Sequence, residues 1–259
     1  MERNSAVIFG CSGDVGKTIC KRFSEEGYSV VVADLKREAA EALASDMNNA
    51  VGMGADVRSR EQVDRVIGKA LKECGKIDVL VNCSRAALFK ETVDLTEEEW
   101  DTLMDYNAKG TYHIVQSALK SMIDNSYGTI IGVASRAARS SPAKLSAYSA
   151  SMNAVIGFFR GLSCEVRDRN IRVNALCPGY VEHEELLLGA ELTGNEPPEE
   201  GTYIQFSPFL DIDNEARGIA DMAVYLAGEH GRSINGQAYG LWDDEVTYLR
   251  NLGLEAEVW

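Results

Sequence analysis

The feature of this 259-residue chain that most constrains its fold is a regular alternation of short apolar runs with longer amphipathic segments. The apolar runs are rich in Val, Ile and Ala, which is typical of strands buried on both faces of a parallel sheet. They lie at 6–9, 29–33, 50–53, 79–81, 129–133, 172–175 and 237–239. The intervening segments predict helices at 15–26, 37–47, 60–74, 97–123, 145–169 and 216–227. Strands that alternate with helices form βαβ units. Residues 1–259 are therefore predicted to form one α/β domain with a doubly wound parallel sheet of about seven strands.

Two segments depart from this alternation. Residues 181–210 combine acidic side chains with glycines and prolines and show little periodicity. Such a stretch predicts a loop, which is either a lid above the sheet or an ordinary exposed connection. The last segment, 246–259, is partly apolar and ends in Trp259. We expect this tail to pack on its own domain or on a neighbouring chain.

Charge and hydropathy exclude several classes of protein. Asp and Glu outnumber Lys and Arg by 40 to 26, which gives a net charge of −14. A nucleic-acid partner requires a basic face, so we predict none. No run approaches the roughly 18 consecutive apolar residues of a membrane-spanning helix. The first residues show neither a long apolar region nor a small-residue cleavage site, so we expect a cytoplasmic protein.

One short motif resembles part of a metal site. His183-Glu184-Glu185 begins like the helix of a zinc protease. That helix carries a second histidine four residues after the first, where this chain has Leu187. We therefore predict no metal site.

A glycine-rich turn follows the first predicted strand and contains Gly10 and Gly16. In dinucleotide-binding folds, glycines at this turn let the backbone approach a pyrophosphate at the N-terminus of the next helix. A phosphate-binding P-loop is the rival interpretation, because Gly16-Lys17-Thr18 resembles the end of that motif. The P-loop requires a glycine at position 11, where the chain has Cys11. The spacing therefore favours a dinucleotide turn.

The turn and several later landmarks resemble the short-chain dehydrogenase/reductase family. The turn is similar to the family's T-G-x-x-x-G-x-G motif, with Phe9 in place of the threonine. The run N-A-L-C-P-G at 174–179 is similar to the family's N-x-x-x-P-G turn. The resemblance covers nearly the whole chain and implies a Rossmann-type fold. It implies catalytic roles for Asn107, Ser135 and Tyr148, and cofactor-binding roles for Gly10, Gly16, Asp34, Asp56 and Asn82. An acidic residue at the position of Asp34 accepts hydrogen bonds from a ribose and favours NAD over NADP.

The proton-transfer residues of the family are incomplete in this chain. In the family, a tyrosine gives or takes the alcohol proton and a serine orients the substrate oxygen. A lysine four residues after the tyrosine lowers the pKa of the phenol, which is otherwise near 10. Here that position is Met152, four residues after Tyr148. A thioether carries no charge and donates no hydrogen bond.

Two further departures fall in the same predicted cleft. Asp14 replaces the middle glycine of the turn, where a carboxylate would repel a pyrophosphate. Arg85 stands where the family's N-N-A-G motif has glycine. Its side chain would crowd the cofactor or direct a guanidinium into the cleft, where it could replace the charge of the missing lysine. The resemblance therefore implies impaired cofactor binding.

These departures spare the scaffold and concentrate in one site, so the chain is expected to be a pseudoenzyme that binds no cofactor. Its implied partner is a homologous, active short-chain dehydrogenase subunit that carries NAD, in a heterodimer or heterotetramer. The implied substrate of that enzyme is 2-[hydroxy(phenyl)methyl]succinyl-CoA, from anaerobic toluene degradation.

Two alternatives remain open. In the first, the chain is an active but atypical NAD-dependent alcohol dehydrogenase that uses Tyr148 and Ser135, with Arg85 or a water in place of the lysine. In the second, it is a lyase or dehydratase that uses the same two side chains without nicotinamide.

Overall fold

The computed structural model describes residues 4–206 and 212–240. Its main sheet has seven parallel strands in the order β3-β2-β1-β4-β5-β6-β9, which confirms the predicted fold class. The strands of this sheet are β1 (Ser5–Phe9), β2 (Ser29–Asp34), β3 (Ala50–Gly54), β4 (Val79–Asn82), β5 (Gly128–Val133), β6 (Ile171–Cys177) and β9 (Ala238–Gly240). The strand order reverses direction between β1 and β4, and ligands of open α/β sheets bind at such a switch point.

Helices cover both faces of this sheet, because every central strand is buried on both sides. On β1, Val7 and Phe9 enter one hydrophobic core, whereas Ala6 and Ile8 enter the other. Helices α3, α5 and α6 supply side chains to the first core, and α1, α2 and α8 supply them to the second. The helices are α1 (Asp14–Glu25), α2 (Arg37–Ser45), α3 (Arg60–Cys74), α4 (Glu97–Met104), α5 (Gly110–Asn125), α6 (Ser146–Val166), α7 (His183–Thr193) and α8 (Ile212–Ala227).

Local capping explains where several helices begin and end. At α3, the side chain of Ser59 accepts a hydrogen bond from the Gln62 amide, and Gly75 ends the helix in a left-handed conformation with φ of 76°. At α4, Thr96 and Glu99 form a capping box. These signals are readable in the sequence, and the predicted bounds of α3 agree with the structure.

The single helix predicted at 97–123 is divided in two. A π-helical turn at Asp105–Lys109 separates α4 from α5. The interruption ends directly before Gly110, the first residue of α5. Such π turns often occur at functional sites, and this one carries Asn107.

The segment 181–210, predicted as a loop or lid, contains regular structure. It holds helix α7 and strand β8 (Ile204–Gln205), which pairs antiparallel with β7 (Tyr180–Val181). The prediction missed α7 because the buried face of this helix includes a glutamate and a glycine as well as apolar residues, which hides the helical period: Glu185, Leu186, Gly189 and Ala190. The apolar tail at 246–259 lies outside the described residues.

No helix within 4–206 and 212–240 combines the length and apolar character needed to cross a membrane.

Candidate active site

The glycine turn connects β1 to α1 and leaves no room for side chains at two positions. A Cβ at Gly10, whose φ is 82°, would lie 2.5 Å from the Ser84 amide nitrogen. A Cβ at Gly16 would lie 2.0 Å from the carbonyl oxygen of Gly10. Both predicted cofactor-binding glycines therefore have a packing role, which brings the N-terminus of α1 close to the residues that follow β4.

A carboxylate of the chain itself lies at the N-terminus of α1. The Val15 amide donates a hydrogen bond to Oε1 of Glu182 at 3.0 Å. A Cβ at Gly13 would lie 2.5 Å from Oε2 of the same carboxyl, so the absence of a side chain there admits Glu182. Unpaired amides and the helix dipole make this position attractive to anions. Glu182 therefore occupies the place at which dinucleotide folds bind a phosphate.

Arg85 is buried in the cleft, where it pairs with two carboxylates. Its Nη2 lies 3.1 Å from Oε2 of Glu182 and 3.0 Å from Oε1 of Glu185, and its Nη1 donates to the Ala134 carbonyl at 3.0 Å. Of the two orientations that the sequence allowed, the guanidinium takes the one directed into the cleft. Two carboxyls face one guanidinium. The buried triad of Arg85, Glu182 and Glu185 therefore holds one carboxyl more than Arg85 can neutralise.

Burial changes the protonation of the two carboxyls, Glu182 and Glu185. Burial raises the pKa of Glu182 to about 7, against the opposing effect of Arg85. Burial also raises the pKa of Glu185, and Arg85 again opposes the change. Because the two carboxyls titrate together, the proton belongs to the pair and not to one residue.

Tyr148 and Ser135 meet beside this triad. The Tyr148 hydroxyl donates to Oε2 of Glu185 at 2.7 Å. Burial and the neighbouring Glu185 hold the pKa of Tyr148 well above its usual value, whereas Arg85 and a hydrogen bond with Ser135 act in the opposite direction. The structure thus brings together the two predicted catalytic side chains, but it disfavours the phenolate form of Tyr148. Arg85 does not reverse this effect, because its charge is shared between two carboxylates.

Asn107 and Met152 have structural roles in this cleft. The Asn107 side chain accepts from the Ala86 amide at 2.8 Å and donates to the Ala86 carbonyl at 2.9 Å, which fixes the segment after β4. It also donates to the Ser151 hydroxyl at 2.8 Å. Met152 is 1% exposed and belongs to the hydrophobic core around α6. It supplies no cation to Tyr148.

Asp34, predicted to bind a ribose, accepts four hydrogen bonds and thereby holds the glycine turn. Its Oδ2 accepts from the amides of Cys11 at 2.7 Å and Ser12 at 3.0 Å. Its Oδ1 accepts from the Ser12 hydroxyl at 2.7 Å and the Lys36 amide at 2.9 Å. A carboxylate offers about four lone-pair sites, and all are used by these contacts.

The other predicted cofactor-binding residues, Asp56 and Asn82, also have partners within the chain. Asp56 lies 2.7 Å from Nη2 of Arg58. Burial raises the pKa of Asp56, but hydrogen bonds from Arg58 outweigh this effect and lower it. The Asn82 amide group donates to the Thr111 hydroxyl at 2.8 Å, and its oxygen accepts from the Ser84 amide at 2.9 Å.

The structure corrects the prediction for Asp14. Its side chain is 45% exposed and lies 3.9 Å from Nζ of Lys17. It also accepts from the Tyr203 hydroxyl at 3.5 Å and does not line the remaining cavity, so it does not fill the phosphate position. The anion at that position is Glu182, which the sequence interpretation missed. The available signal was the acidic segment Glu-His-Glu-Glu at 182–185, which begins three residues after the predicted P-G turn. In the sequence, its pattern resembles only a metal motif.

Helix α7 covers the cleft from Glu182 to the residues at the end of β2. The Ala87 amide donates to the Glu185 carbonyl at 2.9 Å, and Lys36 Nζ lies 3.0 Å from Glu191 Oε1. A Cβ at Gly189 would lie 2.0 Å from the Ala87 carbonyl oxygen, so the helix and the segment after β4 are in backbone contact.

A cavity of about 50 Å³ remains, lined by Gly10, Ser12, Asp34, Arg85, Glu182 and Leu187 among others. Pockets for organic ligands usually measure about 300–1,000 Å³. With the phosphate position filled and Asp34 saturated, the residues present do not fit a nicotinamide dinucleotide. Within the described part of the chain, no group of three or more His, Cys, Asp or Glu side chains is arranged to hold a metal ion.

Comparison with known proteins identifies the family. The sequence model of the short chain dehydrogenase family matches residues 4–186. The chain belongs to the short-chain dehydrogenase family. A 3-oxoacyl-[acyl-carrier-protein] reductase, FabG, of Thermotoga maritima is 28% identical over 246 residues, which are 93% of this chain and 97% of the relative. An NAD-dependent glycerol dehydrogenase of Listeria innocua is 33% identical, over 68% of this chain and 70% of the relative.

Another short-chain dehydrogenase relative is described as a subunit. The (2S)-[(R)-hydroxy(phenyl)methyl]succinyl-CoA dehydrogenase subunit BbsD of Thauera aromatica is 27% identical, over 90% of this chain and 98% of the relative. Among solved structures, an actinorhodin polyketide ketoreductase with NADPH superimposes with a TM-score of 0.78 at 24% identity. That match covers 92% of this chain and 95% of the other, and it shows the shared fold.

Proposed function

We propose that this chain is a non-catalytic subunit of a heteromeric, NAD-dependent short-chain alcohol dehydrogenase. The observation that carries this proposal is the position of Glu182, bonded to the Val15 amide and to Arg85. A diphosphate bound there would have to displace a buried carboxylate that already has two partners. Removal of a buried ion-pair partner is costly, so the chain is expected to bind NAD poorly.

The environment of Tyr148 supports the same proposal. General acid–base catalysis by a phenol requires that its pKa approach the operating pH. In this chain Glu185 accepts a hydrogen bond from the phenol, and Met152 offers no cation. Positioned acid–base catalysis contributes about 10²–10⁴-fold to rates, and an unassisted phenol would forfeit much of this.

The proposed partner is a homologous, active subunit that binds NAD. The Thauera aromatica relative supports this extension, because it is named as a subunit of a dehydrogenase for a hydroxyalkyl succinyl-CoA. We accordingly propose 2-[hydroxy(phenyl)methyl]succinyl-CoA as the substrate of the assembled enzyme. The chain's own contribution would be to stabilise the active subunit.

Two measurements test the proposal. Calorimetric titration of the purified chain with NAD, up to millimolar concentrations, should show no saturable binding. Purification from the native source should yield a stoichiometric second dehydrogenase with tyrosine and lysine four residues apart. The proposal fails if the purified chain, free of any partner, oxidises an alcohol with NAD.

An active but atypical dehydrogenase is the second candidate. It is favoured by the meeting of Tyr148 with Ser135, which the family's chemistry requires. In that case the chain alone would bind NAD, and Tyr148→Phe would abolish alcohol oxidation. The same calorimetric titration separates the two candidates.

A further inference from the structure

The carboxyl of Glu182 has the contacts that a bound phosphate group would have. It accepts from the Val15 amide at the N-terminus of α1 and from Nη2 of Arg85, and the missing side chain of Gly13 gives it room. Glu182 is 3% exposed, so these contacts replace hydration almost entirely. Glu182 directly precedes α7, so the carboxyl belongs to the same segment of the chain as the helix that covers the cleft.

Arg85 retains binding capacity in this cavity. Its Nε is buried and has no hydrogen-bond partner among the described residues. The side chain is 1% exposed, and Arg85 lines the remaining cavity together with Gly13 and Gly16. A buried N–H donor without an acceptor is costly, so an additional oxyanion would gain from contact with it.

The loss of the Glu182 carboxyl would leave Arg85 with one carboxylate partner, in a cavity whose lining also holds Asp34 and Glu184. Arg85 would still pair with Glu185 at 3.0 Å, which gives one guanidinium for one carboxylate. The Val15 amide and Nε of Arg85 would then both lack acceptors. Such a combination of helix amides and a guanidinium is suited to a phosphate or diphosphate group.

We infer that Glu182 is an internal ligand of a latent phosphate site formed by the N-terminus of α1 and Arg85. The inference rests on the proposed function, because it gives the physical reason for the lack of cofactor binding. It also gives Arg85 a role that is absent when glycine stands at its position. The chemical class of ligand is a small phosphate or diphosphate anion.

The experiment is a calorimetric titration of the full chain with inorganic pyrophosphate. The test variant is Glu182→Ser, because position 182 is the N-cap of α7 and serine is a preferred N-cap residue. The control is Glu97→Ser, which removes the same charge from an exposed position on α4, a helix that does not line the cavity. The double variant Glu182→Ser with Arg85→Met tests the guanidinium.

At pH 8 we expect Glu182→Ser to bind pyrophosphate at least about tenfold more tightly than the wild type, because one like charge is then removed from the site. Glu97→Ser should bind no better than the wild type, and the double variant should lose the gain. If folded Glu182→Ser shows no gain, or if Glu97→Ser gains equally, the inference is wrong. Should Glu182→Ser fail to fold by circular dichroism, Glu182→Asn replaces it in the same titration, because asparagine is neutral, shorter and also a preferred N-cap residue; a gain or its absence then decides the inference in the same way.

Titration of the wild-type chain with NAD distinguishes a failure of the proposed function from a failure of the internal-ligand inference. NAD binding by the wild-type chain would overturn the proposed function. A wild-type chain that binds no NAD, together with a folded variant that gains no affinity for pyrophosphate, would overturn only the internal-ligand inference.

Discussion

The hydroxyl of Tyr148 donates a hydrogen bond to Oε2 of Glu185 at 2.7 Å, and both side chains are buried. This contact places a carboxylate beside the phenol, whereas the family's chemistry requires a cation there. Because a nearby negative charge disfavours the phenolate, the pKa of Tyr148 lies well above its usual value. The contact also ties α6 to α7 across the cleft.

The first prediction concerns this hydrogen bond. Tyr148→Phe should lower the free energy of unfolding by about 1–3 kcal/mol, because Glu185 loses a donor in a buried site. Urea denaturation monitored by circular dichroism measures this loss. Tyr112→Phe, at a side chain that is 44% exposed, is the control and should change stability by less than about 0.5 kcal/mol. Equal stabilities for the two variants would contradict the role assigned to the contact.

The second prediction concerns the guanidinium between the two carboxyls. Arg85→Met leaves Glu182 and Glu185 buried without a cation, so it should cost about 3–5 kcal/mol of stability at pH 8. At pH 5 the loss should be smaller, because the carboxyl pair can take up protons. Urea midpoints at the two pH values provide the comparison. Arg65→Met, which breaks an exposed pair with Glu61, should show a loss below about 1 kcal/mol at both. A loss for Arg85→Met that does not depend on pH would count against the buried triad.

The third prediction is a pH dependence of wild-type stability. The pKa of Glu182 is raised from 4.5 to about 7, mainly by burial. Between these values the folded state holds a proton that the unfolded state has released, so stability falls as the pH rises through this window. Glu182→Gln carries no such proton, and its stability should fall less steeply, by at most about 1.4 kcal/mol per pH unit. Denaturation curves from pH 4.5 to 7.5 test this, and identical slopes for both proteins would refute it.

The fourth prediction concerns the packing of α7. Gly189→Ala introduces a Cβ 2.0 Å from the Ala87 carbonyl oxygen, which must push the helix away from the segment after β4. We expect a loss of about 1–3 kcal/mol and faster amide exchange across His183–Thr193. The control is Gly68→Ala, in α3, where a Cβ would meet no atom within 4 Å. That substitution should stabilise the protein by about 0.5–1 kcal/mol. Hydrogen exchange in α7 that is unchanged by Gly189→Ala would show that the helix is not held by this contact.

The sequence by itself determined the scaffold, because the required information is local. Each central strand is buried on both faces, so its residues are apolar without alternation, and the seven strands are visible as runs. Capping residues such as Ser59 and Gly75 fixed the ends of α3. The order of the motifs also located Tyr148 and Ser135, which the fold brings together.

The tertiary structure alone decided what fills the cleft. Glu182 lies 167 residues from Val15 and 97 residues from Arg85 in the sequence, so no local pattern links these side chains. A glutamate in an acidic segment is usually a solvated charge, and the sequence predicted a loop there. Burial against a helix N-terminus and a guanidinium reverses that expectation, because a charge can leave water only when distant partners replace its hydration. The identity of those partners depends on the carboxyl ends of β1, β4 and β6 lying at the same edge of the parallel sheet. No single segment of the sequence encodes this arrangement.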